Sequence, residues 1–392
     1  MNKLTHIIFL AYQPITQKFE DDFYFKTILQ HGLTVEYWDV SKMFHKKTNA
    51  PEVKNESFVK VFVSYKQLKD ELTRYKKALF IFHINYYAKV YNLFRLFSKQ
   101  NVQTAFFARG AIPFPLVNQS IAKRFFGKFT AFKNKQFLKK AVLNQLALLA
   151  KKTGFIQPFT HVFYAGSESL PVIGYGYIYG LEKSHLVPVN SFDYDKYFLL
   201  KDQTQSLINE PYCVFLDVYL PFHPDFDLLN IPKVNATSYY TSLNNFFDFI
   251  EHTYNMKVII AAHPKSNYEN SNVYKDRTIL KYKTAELIQQ SEFVITHAST
   301  SISFAVLFEK PIIFTYNEEI KKVYRHGQYS QILHFANILK ATCVNMDQRQ
   351  LSFEILSVDK LAYHQYKYKY LTNPESEGKL SEDIFGKFLS GN

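Results

Sequence analysis

The sequence predicts an α/β protein of two Rossmann-like domains facing a cleft. Three observations lead there. Short, nearly continuous apolar runs alternate with helical stretches, the mark of a parallel sheet covered on both faces. The alternation occurs twice, on either side of a polar stretch near residue 200. A chain of 392 residues also exceeds what one core ordinarily serves, and suits two domains of about 150–200 residues each.

In the first half, taken as residues 1–200, THIIFLAY reads as a buried strand and residues 20–31 as a helix stopped by Gly32. TVEYWDV and FVKVFVSY follow as strands, then a charged helix over 66–76. ALFIFHI, a helix over 86–99 and VQTAFFA continue the pattern to Arg109-Gly110, where GAIPFP breaks it with two prolines. A basic helical region over 117–152 and a strand THVFYAG complete the half. The second half, 201–392, opens with the strand YCVFLD after Pro211, then a helix over 238–254 and KVIIAA. A helix over 284–290, FVITHA, a helix over 301–308 and PIIFTY follow. The mixed polar tail from Leu361 is expected to be helical and to cross back onto the first domain.

Composition narrows the function. Hydrophobic residues make up 47%, enough for large cores rather than disorder. Two cysteines, Cys213 and Cys343, cannot frame a disulfide scaffold or a zinc site, and a reduced, cytosolic setting is expected. The first residues lack a signal-peptide pattern, and no run of 18 apolar residues is present. The net charge of +13 is concentrated: between Glu71 and Glu168 there is no acid, but there are 16 Lys and Arg. In that segment Lys123, Arg124, Lys128, Lys133, Lys135, Lys139 and Lys140 alternate with Phe125, Phe126, Phe129, Phe132 and Phe137. The mixture suits a helix lying on an anionic membrane better than a phosphate-tracking nucleic-acid arm, and it suits equally a solvated helix face over a packed apolar stripe.

In parallel sheets, ligands gather at the carboxyl ends of strands. Two polar clusters fall there. His263-Pro264-Lys265-Ser266 follows KVIIAA, and a His and a Lys at a strand end can hold phosphate oxygens, with the proline fixing the turn. His297-Ala298-Ser299-Thr300-Ser301 follows FVIT and opens a helix, where hydroxyls can cap the helix or meet an anion.

Taken together, AAHPKS and ELIQQSEFVITHASTSISFAVLFEKPIIF resemble the donor-binding half of bacterial GT-B glycosyltransferases that build capsule, lipopolysaccharide and related surface glycans. Within that group, enzymes using CMP-activated sialic acid, other nonulosonic acids or Kdo carry a His-Pro motif and a Ser-Ser/Thr motif. The resemblance covers about residues 210–320. It implies that His263 contacts the donor phosphate, and that Ser299, Thr300 and Ser301 hold the same phosphate or the sugar carboxylate. The pattern is also similar to CDP-glycerol and CDP-ribitol phosphotransferases of teichoic-acid synthesis. It implies further that Glu309 binds ribose hydroxyls and that Tyr282 and Thr284 read the base.

One departure concerns the catalytic base. The sialyltransferase-type acidic pair before a glycine is absent, and Arg109-Gly110 stands after the fifth strand instead. Asp217, Asp225 and Asp227 in LDVYLPFHPDFD, and His223 among them, are the candidate bases, expected to face the cleft. Arg109 is a candidate partner for an anionic acceptor or donor. No metal constellation and no glycine-rich phosphate loop is present, so no cofactor beyond the nucleotide-sugar co-substrate is expected. The expected partners are a nucleotide-sugar donor, a glycan or glycolipid acceptor and an anionic membrane surface, with no nucleic acid, at the inner face of the cytoplasmic membrane. A polyol-phosphate transferase, a UDP- or GDP-sugar transferase and a non-catalytic lipid- or nucleic-acid-binding protein are the competing readings.

Overall fold

The computed structural model describes the chain except residues 1–3, 45–55, 116–134, 173–179, 204–205, 230, 270, 326 and 392, and without the side chains of 135–138, 171–172 and 227–229. The chain forms two compact units. The first comprises Met1–Ala111, Val117–Phe192 and Thr372–Asn392, and the second Ile112–Leu116 and Asp193–Leu371.

The first unit holds seven parallel strands: β1 (His6–Ala11), β2 (Thr34–Asp39), β3 (Val59–Val61), β4 (Ala78–Phe82), β5 (Gln103–Ala108), β6 (His161–Tyr164) and β7 (His185–Pro188). Their order is β3-β2-β1-β4-β5-β6-β7. Alternate residues feed two apolar layers. Ile8, Leu10 and Phe80 pack on one face, Ile7, Phe9 and Leu79 on the other. A strand buried on both sides must be apolar at every position, which is why THIIFLAY reads as a continuous run.

The expected helix over 20–31 is two helices, Gln17–Asp22 and Phe25–Gln30, broken where Tyr24 takes a left-handed φ of 59°. Packing overrides propensity here: Phe23 meets the rings of Phe9, Phe107 and Phe192. The tail residues Thr372–Asn392 complete this unit. Asn373 donates to the carbonyls of Tyr164 and Val189 at 3.0 and 3.1 Å. The helix Ser381–Ser390 lays Phe385 and Phe388 against Phe163.

The second unit holds six parallel strands: β8 (Tyr212–Leu216), β9 (Lys257–Ala262), β10 (Ile279–Lys281), β11 (Val294–Thr296), β12 (Ile312–Tyr316) and β13 (Thr342–Asn345). The order β10-β9-β8-β11-β12-β13 is that of a Rossmann sheet, 3-2-1-4-5-6. Two Rossmann-like units in one chain are the make-up of the GT-B fold. The strand order reverses between β8 and β11, and this switch point is where such a sheet opens a crevice for ligands.

The change of unit falls at Phe192, whereas the polar linker suggested residue 200. The intervening helix, Phe192–Leu200, buries Tyr194 and Leu200 in the second unit's core. Most of the basic segment 117–152 lies outside the described residues; its last part is the helix Lys135–Lys152. No helix among the described residues is long and apolar enough to cross a membrane.

Candidate active site

Asp217 leaves the carboxyl end of β8 and is buried. Its Oδ1 accepts the N–H of Tyr219 at 2.7 Å and the hydroxyl of Tyr274 at 3.1 Å. Its Oδ2 accepts the N–H of His263 at 3.2 Å and the hydroxyl of Tyr268 at 2.8 Å. Burial, then the Asp217 charge, push both phenols well above their ordinary range, so they remain donors. A carboxylate holding four donors has no lone pair aimed at an acceptor substrate. This corrects the candidate base: Asp217 instead ties the end of β8 to the long loop after β9. Tyr268 and Tyr274, which make that tie, went unnoticed in the sequence.

Two His-Pro turns stand beside it. In His263-Pro264-Lys265, Nδ1 of the histidine accepts the N–H of Lys265 at 3.1 Å. In His223-Pro224-Asp225, Nδ1 accepts the N–H of Asp225 at 3.3 Å. Proline fixes the middle residue, so the third N–H returns to the ring. A lone pair on Nδ1 puts the proton of each neutral ring on Nε2. The two rings meet edge to face at 4.9 Å between centroids. Burial holds both histidines below the ordinary imidazole range, and for His263 the neighbouring His223 adds to it. At neutral pH the pair therefore presents two uncharged N–H donors, and neither Nε2 has a partner among the described residues.

The third residues of the turns pair with each other. Lys265 Nζ donates to both oxygens of Asp225, at 2.8 and 2.9 Å. Its hydrogen bond to the ammonium holds the Asp225 carboxyl below the usual range. Neither side chain is a free charge, so Asp225 is no free base and Lys265 no free cation. With its proton on Nε2, His223 is placed as a donor rather than a base. Asp227's side chain lies outside the described residues. Ser266 is buried and donates to the carbonyl of His263 at 2.7 Å, closing the turn rather than facing a ligand.

After β11, His297 is 1% exposed. Its Nδ1 meets the Thr315 carbonyl at 2.7 Å, and its Nε2 accepts the Tyr239 hydroxyl at 2.9 Å. Burial pulls its pKa down to about 4. A neutral ring with both nitrogens engaged in the core presents nothing to a donor, so its assignment to the donor site is corrected. The serine turn divides its work. Ser299 Oγ accepts the N–H of Ser301 at 3.2 Å, a local cap. The hydroxyls of Thr300 and Ser301 have no side-chain partner among the described residues, and Thr300 is exposed. They leave β11 two strand positions from β9, about 10 Å away at the usual strand spacing.

Tyr282 follows β10 at the same edge, exposed and at a left-handed φ of 61°, and Thr284 begins the helix Thr284–Gln290. Glu309 sits elsewhere. It follows the helix Ile302–Leu307, which returns from the carboxyl edge, and takes a left-handed φ of 51° just before β12 begins. It lies at the amino edge of the sheet, opposite His263, which removes it from the ribose role. Arg109, in the first unit, is also buried. It donates to the Asn190 carbonyl at 2.6 Å and to the Tyr24 hydroxyl, and stacks 4.0 Å over the Phe192 ring. It fastens that unit's own loops and is not free to hold an anionic acceptor.

Among the described residues no group of three or more His, Cys, Asp and Glu is placed to hold a metal ion. No protein-family model matches the chain, and no curated protein matches it. Among solved structures, the UDP-GlcNAc 2-epimerase from Methanocaldococcus jannaschii is similar with a TM-score of 0.48 and 11% identity, over 99% of each chain. The S. aureus MnaA–UDP co-structure gives 0.45 and 14%, over 97% of this chain and 95% of that one. The calicheamicin glycosyltransferase CalG4 gives 0.43 and 9%, over 100% and 95%. These are likenesses of fold at low identity; the fold assignment itself rests on the order and direction of the chain's own two sheets.

Proposed function

We propose that the chain is a glycosyltransferase that binds the phosphate of a nucleotide-activated sugar at the carboxyl edge of its second sheet. The observation that carries this reading is the pair of Nε2–H donors on His263 and His223, set by matching His-Pro turns beside the switch point. Preset, uncharged N–H donors can stabilise the charge that develops on a departing phosphate without reorganising. In this reading Thr300 and Ser301 supply hydroxyls from the end of β11, and Tyr282 and Thr284, which follow β10, meet the nucleoside base. In this reading the base that activates the acceptor hydroxyl is not Asp217, whose buried carboxylate already holds four donors.

The same geometry supports a CMP-linked donor, such as a nonulosonic acid or Kdo. A diphosphate calls for cationic partners, and Lys265 is neutralised by Asp225. A single phosphate suits two neutral imidazoles and a hydroxyl turn. Uridine and guanosine diphosphate donors are the alternative. The acceptor in this reading is a surface glycan or glycolipid met at an anionic membrane on the cytoplasmic side. Thermal-shift measurements with CMP, CDP, UDP and GDP, followed by hydrolysis of a nucleotide-sugar panel, test it. Protection by a nucleotide with release from its sugar conjugate is expected; a protein that neither binds nor turns over any of them contradicts it.

A further inference from the structure

The helix Lys135–Lys152 turns an apolar face outward. A surface helix ordinarily keeps its apolar stripe inward and its polar residues outside. Here the inner side is marked by Asn144, whose Oδ1 accepts the Ala88 N–H at 3.0 Å, and by Ala147, whose carbonyl accepts the Tyr86 hydroxyl at 2.7 Å. Lys151 is buried on that side, near the rings of Tyr86 and Phe159. Val142, Leu146 and Leu149, spaced i, i+4 and i+7, form one row on the opposite side. They are 50%, 56% and 53% exposed. Phe155, just past the helix, is exposed as well, with the Arg95 guanidinium 5.4 Å over its ring.

Lys139, Lys140 and Lys152 are exposed on the same helix, within the stretch from Glu71 to Glu168 that contains no acid. We propose that this face docks onto an anionic lipid bilayer. The Val142–Leu146–Leu149 row enters the boundary between headgroups and acyl chains, and Lys139 and Lys152, which flank that row at i−3 from Val142 and i+3 from Leu149, meet the anionic headgroups. Charge selects this occupant over a second copy of the chain, because two lysine-edged helices, each from a stretch of sequence without acids, repel. The inference deepens the membrane partner of the proposed function and does not use the donor site. Vesicle binding is measured without nucleotide, so its failure leaves the phosphate-binding reading standing.

The test is flotation of the full chain with phosphatidylglycerol–phosphatidylcholine vesicles, compared with phosphatidylcholine alone. The wild-type protein is expected to float with the anionic vesicles and to be released by salt. The double variant Leu146→Ser/Leu149→Ser should bind at least about tenfold more weakly, since two apolar side chains no longer enter lipid. Lys139→Gln/Lys152→Gln should weaken binding about fivefold per charge. Both variants should melt like the wild type, because the changed side chains are exposed. Wild-type protein that ignores anionic vesicles overturns the proposal, and so does a serine variant that binds as the wild type does. Self-association of the wild type that the serine variant abolishes, without vesicle binding, also overturns it by making a second copy the occupant.

Discussion

The carboxylate of Asp217 accepts the backbone N–H of His263 at 3.2 Å. One buried acid at the end of β8 thus fixes the start of the turn after β9 that carries His263. That turn is held from behind by a side chain whose oxygens are taken up by four donors of the protein itself.

Asp217→Asn should therefore act on folding before chemistry. The amide cannot accept all four donors, and leaving one buried partner unsatisfied costs about 2 kcal/mol or more. Chemical denaturation of the variant should show that loss. An unchanged unfolding midpoint, with activity alone abolished, would return Asp217 to the role of base.

Asp225→Asn should leave stability nearly untouched, since an exposed ion pair contributes about 0–1 kcal/mol. It should change selectivity instead. Lys265, released from its partner, becomes a free cation beside His263. Affinity for nucleoside diphosphates should rise roughly fivefold relative to the monophosphate, a step of about 1 kcal/mol. Competition binding with CMP and CDP measures the ratio, and an unaltered ratio contradicts the argument that neutralised Lys265 sets the preference.

His297 makes stability depend on pH. Its folded pKa is about 4, whereas an unfolded histidine titrates near ~6.5. The unfolded state takes up the proton first as pH falls, so the contribution is full above the unfolded value and declines below it, by about 2 kcal/mol near pH 5. His297→Gln should be less stable at neutral pH, having lost bonds to Tyr239 and Thr315, yet show a shallower decline on acidification. Urea unfolding of both proteins across that range checks the slope; parallel declines contradict a neutral buried ring.

These residues also show what the sequence disclosed. Strands such as THIIFLAY and KVIIAA were legible because burial on both faces demands unbroken apolar runs. The short strands β7, β10 and β13 were not, because three or four residues at or near a sheet edge leave little pattern. His263 was legible from its place after KVIIAA. Its twin was visible too, as His-Pro repeated at 223 and 263, but the pairing of Asp225 with Lys265 depends on two strand ends lying side by side. His297 and Arg109 were misplaced for a common reason. A polar residue at a strand end can turn into the core when hydrogen-bond partners wait there, and only Tyr239, Thr315, Asn190 and Tyr24 reveal that. Glu309 was misread in direction, since a helix leaving the carboxyl edge delivers its last residues to the amino edge.

The proposed phosphate contact of His263 is tested by its removal. His263→Ala should lower turnover of the true donor by about 10²-fold, the loss typical of one missing hydrogen bond to a developing charge. The fold should survive, because the ring lies at a strand end and outside the core clusters. Near-wild-type turnover would remove His263 from the chemistry.

The most direct test of the central claim is calorimetric titration of CMP into the wild-type protein and His263→Ala, with UDP and GDP alongside. The account predicts that the wild type binds CMP more tightly than UDP or GDP, and that His263→Ala binds it at least about tenfold more weakly, as loss of one hydrogen bond to a charged group implies, while melting at the same temperature. Equal CMP affinity in the two proteins, or no nucleotide binding by the wild type, would contradict it.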